Sequence, residues 1–141
     1  MAAMAAHRSY DGGGLQVVTL DAAVDLSANQ YRAVVISGEL TGGRATVNKP
    51  AFAGQAVVGV QRNKLLYSKG DKATEVAYMG ISVALGDGSV TGGSRVAAAG
   101  TSALFRKAQT GDWVRGMAVT GDGGVSGGRF SLHLQHMGKE P

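Results

Sequence analysis

The chain has no cysteine and only two prolines. The first absence removes disulfides, thiolate metal ligands and thiol nucleophiles together. Aromatic residues make up only 6% of the chain, so valine and alanine must supply most of the packing. No apolar run approaches the roughly 20 residues that a spanning helix needs. The N-terminal MAAMAA is too short for the apolar region of a signal peptide and has no charge before it, which points to synthesis in the cytoplasm. A block of like charge is also missing. Fourteen Lys and Arg face ten Asp and Glu, for a net charge of +4 and a pI near 9.6. The basic residues are dispersed, and only Arg62, Lys64, Lys69 and Lys72 approach a cluster. A mild excess of this kind suits an acidic protein surface as well as it suits nucleic acid.

Glycine is abundant, at 23 of 141 residues. It has no Gly-X-Y period and is interrupted by true apolar runs, so the chain is neither collagen nor linker. It reads as tight turns and bulges in one small all-β domain of barrel or sandwich type, with at most one or two short helices. A chain of this length removes roughly two-thirds of its unfolded surface from water. With few large groups in its core, such a monomer gains by burying more surface against copies of itself or a host.

Residues 1–14 are expected to form a flexible arm ending in Gly12-Gly13-Gly14. Residues 15–136 form the domain, and 137–141 a frayed tail. Strand candidates are Leu15–Leu20, Tyr31–Ser37, Arg44–Asn48, Val57–Gln61, Thr74–Leu85, Arg95–Ala99, Asp112–Thr120 and Arg129–His136, rich in β-branched residues and bounded by Gly, Asn and Asp turns. In Phe130–Leu134 the apolar side chains alternate with Ser131 and His133, which predicts one buried and one solvent face. Gly80 interrupts the longest run and marks a bulge or the close approach of another strand. Two segments are weakly helical in pattern, Asp21–Gln30 and Ala99–Lys107. A faint internal echo links Val58-Gly59-Val60 to Arg115-Gly116-Met117-Ala118-Val119, each followed by a Gly-Asp turn and an apolar strand.

The constellations that carry chemistry are incomplete. Gly88–Arg95 has a phosphate loop's glycine separation but places Ser94 where the lysine must stand, so it reads as a polar connection. The Gly-Asp-Gly turns at 86–88 and 121–124 offer one Asp each, too few for a calcium loop, and suit hairpin turns. His133 and His136 would point to opposite faces of a strand and cannot easily share a metal. No Gly-x-Ser-x-Gly elbow occurs. Asp21 and Asp25 would share a face only on a helix, as cap and solvated surface. No catalytic, cofactor or metal site is assigned, and no small-molecule substrate. A hydrolase using Ser, Asp and one of the three histidines is kept only as a third class.

Two aromatic features remain. Trp113 opens an apolar strand and is expected to anchor the core, an interface being the alternative. Tyr67 stands among Arg62, Lys64, Lys69 and Lys72, where it could stack a base beside a basic groove or pack locally in a basic hairpin.

The order of these segments resembles the small capsid decoration, or cement, proteins of tailed bacteriophages. The matching stretch runs from Asp25-Leu26-Ser27-Ala28-Asn29-Gln30-Tyr31 and Val34-Val35-Ile36-Ser37-Gly38 through Val58-Gly59-Val60-Gln61-Arg62-Asn63-Lys64. It continues with Gly70-Asp71, Ala73-Thr74-Glu75-Val76 and Gly80-Ile81-Ser82-Val83, and closes with Gly111-Asp112, Gly116-Met117-Ala118 and Phe130–Leu134. The resemblance implies a homotrimer on the exterior of the virion head, bridging neighbouring major capsid subunits and stabilising the shell, with no membrane partner. His7, Arg8 and Tyr10 in the arm and Arg62, Lys64, Tyr67 and Lys69 in the basic hairpin are the expected partner contacts. The alternative is a basic β-barrel that binds single-stranded nucleic acid.

Overall fold

The structure, a computed structural model, describes residues 14–39 and 43–141. It is all-β. The strands are β1 (Gln16–Ala22), β2 (Ala33–Glu39), β3 (Ala45–Asn48), β4 (Gly59–Gln61), β5 (Ala73–Asp87), β6 (Arg95–Ala98), β7 (Phe105–Lys107), β8 (Gly116–Ala118) and β9 (Ser126–Leu134). One 3-10 turn, Tyr67–Lys69, precedes β5. Asp21–Gln30 is not a helix. Its first two residues end β1, and the rest form bends and turns, in which Asp25 accepts the Ser27 amide at 2.9 Å. Hydrogen bonds from the Ser27 side chain and backbone hold the exposed Asp25 carboxyl below its ordinary range. Ala99–Lys107 is not helical either, and its last three residues are β7, a strand that composition alone did not single out.

The strand pairings close twice. β1 runs parallel to β3 and antiparallel to β5, β2 runs antiparallel to β3 and β4, and β4 runs antiparallel to β5. These links make the ring β1-β3-β2-β4-β5. The second half of β5 then runs parallel to β7 and antiparallel to β9, β6 runs antiparallel to β7 and β8, and β8 runs antiparallel to β9. That is the same scheme, with the second half of β5 in the role of β1 and β9 in the role of the first half of β5. The second ring closes more thinly, through the single pair Gly86–Phe105 between β5 and β7.

Register carries the correspondence down to single bonds. Val58 N–H donates to Val34 O at 2.9 Å, and Arg115 N–H donates to Val96 O at 2.9 Å. Tyr31 to Gln61 O at 2.6 Å is matched by Gly93 to Ala118 O at 2.7 Å, and Arg62 to Glu75 O by Val119 to Ser131 O, both at 2.8 Å. Even a side-chain bond repeats: Glu75 N–H donates to Asn63 Oδ1 at 2.9 Å and Ser131 N–H to Thr120 Oγ1 at 3.0 Å. The echo around Gly59 and Gly116 is thus the fourth strand of each barrel, and the chain is an internal repeat of two barrels sharing one long strand.

The sharing is made at Gly80. Its φ is +94°, and a Cβ there would lie 2.6 Å from Leu15 Cα. A side chain would push away the entry of β1, so glycine lets β5 leave one barrel and enter the next.

The first barrel's interior is Leu20, Ala22, Leu26, Val34, Val47, Leu65 and Val76. At matched positions the second barrel holds Ala84 for Leu20, Phe105 for Val47 and Leu132 for Val76. Losing volume on one strand and gaining it on the next keeps the filling roughly constant, and Phe105 meets Phe130 edge-to-face with centroids 6.1 Å apart.

The second cluster also takes in Ala33, Val60 and Ala77, which lie side by side across β2, β4 and β5 on the outer face of the first barrel. The barrels therefore pack through that face. Its counterparts on the second barrel, Arg95, Met117 and His133, face solvent. Ser131, expected on the same solvent face as His133, is 1% exposed.

Residues 137–141, expected to fray, are held. Val114 N–H donates to Gly138 O and Gly111 N–H to Glu140 O, while Glu140 N–H donates to Asp112 O at 2.8 Å. Arg95 adds an ion pair with Glu140 at 3.4 Å. These bonds make the tail an added strand-like edge against 111–114. Among the described residues, no helix is long and apolar enough to cross a membrane.

Candidate interaction surface

The expected contact residues divide sharply. His7, Arg8 and Tyr10 lie outside the described residues. Arg62, Lys64, Tyr67 and Lys69 belong to the connection between β4 and β5, which is tied down locally rather than laid out as a groove. Asn63 Nδ2 donates to Ala73 O at 2.9 Å, and Asp71 Oδ1 accepts the Ala73 amide at 3.1 Å. Lys64 and Lys69 are exposed. Tyr67 packs against the first barrel's core cluster, so its ring is committed to the fold and does not stand ready to stack a base.

The Gly88–Arg95 loop is a polar connection whose amides are already used. Asp122 Oδ2 accepts Gly88 N–H at 2.9 Å and Val90 N–H at 3.2 Å, and Asp122 Oδ1 accepts Gly124 N–H at 2.9 Å. Gly93 and Ser94 N–H go to Ala118 O and Thr91 O. A phosphate cradle needs such amides free, and these are taken. The two Gly-Asp-Gly segments singled out by sequence therefore meet, with Asp122 of the second buried at 4% exposure and stitching the first in place.

Among the described residues no group of three or more His, Asp or Glu is placed to hold a metal ion. His133 and His136 are both exposed. The Nδ1 of His133 lies 3.5 Å from Gln135 Nε2. Asp112, beside Trp113, pairs with Arg106 through two oxygens at 2.9 and 3.0 Å, fixing the turn from 106 to 112.

Trp113 is not a core anchor. It is 45% exposed, and the Lys139 ammonium lies 5.2 Å from its ring centroid. Its backbone is held at the edge: Gly54 O accepts its amide at 3.0 Å, and Lys139 pairs with it as an isolated bridge. Ile36, Phe52, Val119 and Val125 are also half or more exposed. The alternation pattern could have exposed Val119, but the position of Phe52 depends on a loop crossing onto the second barrel, where Gly54 N–H donates to Ala98 O at 2.8 Å.

No protein-family model matches the chain, and no curated protein matches it in sequence.

Proposed function

We propose that the chain is a structural protein of a tailed-phage head, binding the outer surface of the assembled capsid as a homotrimer and bridging major capsid subunits. The observation that carries this proposal is a twin barrel with large apolar side chains, Ile36, Phe52, Trp113, Val119 and Val125, left in water. Its buried carboxylates are spent on the fold, Asp122 on backbone amides and Asp112 on Arg106 and the Gln109 amide. Exposed apolar groups of this kind gain by being covered with protein. The family resemblance spans strands of both barrels, from β2 to β9. Binding only the assembled shell stabilises it by mass action, about RT ln(1 + [L]/Kd) per site. Linking three contacts in a trimer multiplies weak affinities by roughly 10² to 10⁴.

Light scattering on the purified chain is the test, followed by sedimentation with empty heads. The expected outcome is a mass near three times 14.3 kDa and cosedimentation that survives raised salt. A chain that ignores heads but binds single-stranded oligonucleotide, with a log–log salt slope near −0.7 per neutralised phosphate, would overturn the proposal in favour of the nucleic-acid alternative.

A further inference from the structure

A cavity of about 220 Å³ opens beside Trp113, walled by Ala56 and Val57 from the approach to β4, by Trp113, Val114 and Arg115 from the approach to β8, and by His136 after β9. Arg115 is the chain's most telling buried group. It is 2% exposed and occupies the position that Val58 holds in the first barrel. Its Nη2 donates to the carbonyls of Val58 and Tyr78, which clamps the second barrel onto the first. Its Nε and Nη1 have no partner, and none of the ion pairs among the described residues includes it.

A guanidinium taken out of water without a counter-charge is strongly unfavourable, and burial pulls the Arg115 pKa below its ordinary value. The valine of the first barrel shows that the strand scheme itself does not need a cation there. The rest of the cavity wall carries no fixed charge. No Asp or Glu lines it, and the Lys139 ammonium sits over Trp113 at the rim. The two cations, Arg115 in the wall and Lys139 over the Trp113 ring, with the open aromatic face and the small volume, suit one anionic group on a short apolar stem.

We propose that this cavity receives an acidic side chain of a partner protein. Lys139 and His136 meet the carboxylate at the rim, Arg115 supplies a buried counter-charge behind the wall, and Trp113 and Val57 cover the stem. The choice of a protein partner rests on the function proposed above. The pocket itself can be tested without a capsid.

Trp113 is the only tryptophan, so its fluorescence reports the cavity directly. The full chain is titrated at low salt with a short blocked peptide carrying glutamate between two leucines, with its glutamine twin, and with a single-stranded oligonucleotide. The expected result is a saturable change with the glutamate peptide, at least about fivefold weaker with the twin and weakened about as much by Lys139→Gln or Arg115→Gln. Lys139→Gln changes a surface residue and keeps the test decisive if Arg115→Gln does not fold. Equal responses to the two peptides, an unchanged affinity in folded Lys139→Gln, or a response to the oligonucleotide alone would each overturn the proposal. None of these outcomes depends on the trimer, so failure here and failure of the capsid proposal are distinguishable.

Discussion

At the scale of single residues, the buried polar groups do more than the exposed charges. Asp122 gathers three backbone N–H groups from two loops at 4% exposure. Charge-assisted bonds of this kind contribute about 1.5–3 kcal/mol each in favourable cases, and removing the acceptor strands its donors. Asp122→Ala should therefore lower stability by about 3 kcal/mol, read as a lower urea midpoint with an unchanged slope. Asp122→Asn keeps one acceptor oxygen and should lose less. The surface pair Arg44–Asp21, at 3.1 Å with Arg44 53% exposed, is worth little by comparison.

At the scale of elements, the two fourth strands are built alike around a glycine. A Cβ on Gly59 would lie 2.1 Å from Ala77 O, and one on Gly116 would lie 2.1 Å from His133 O. In each case the obstacle is the backbone of the neighbouring strand, which cannot rotate away. Gly59→Ala and Gly116→Ala should each cost about 2 kcal/mol or more, and comparable losses in chemical denaturation would reflect the repeat. The elements also explain a difference in sequence texture. The outer row Ala33, Val60 and Ala77 is covered by the second barrel, so both faces of β2 are apolar at Ala33-Val34-Val35. The matching row Arg95, Met117 and His133 meets water, so the closing strands alternate.

At the scale of the whole molecule, the barrels are not separable domains. β5 belongs to both rings, one core cluster spans the junction, and Arg115 reaches from the second barrel to carbonyls of the first. Breaking one barrel would strip a strand and a covered face from the other. Thermal unfolding should be a single transition whose calorimetric and van't Hoff enthalpies agree. Two resolved transitions in scanning calorimetry would contradict that coupling.

Much of this was legible in the residues. Glycine density, β-branched runs and Asp-Gly turns determined an all-β chain, because strand propensity and turn chemistry are local properties. Most strand positions, the close backbone approach at Gly80 and the echo of Gly59 in Gly116 followed from the same signals. Other features belong to the tertiary structure alone. β7 is three residues long and exists because β6 and β5 flank it. Tyr67 turned inward and Trp113 outward because the available interior, not the side chain's own hydropathy, decides which aromatic is covered. Arg115 was invisible as a site, since only the docking of one barrel on the other buries its guanidinium. Local sequence determined which segments pair and turn; long-range packing decided which of their faces remain in water.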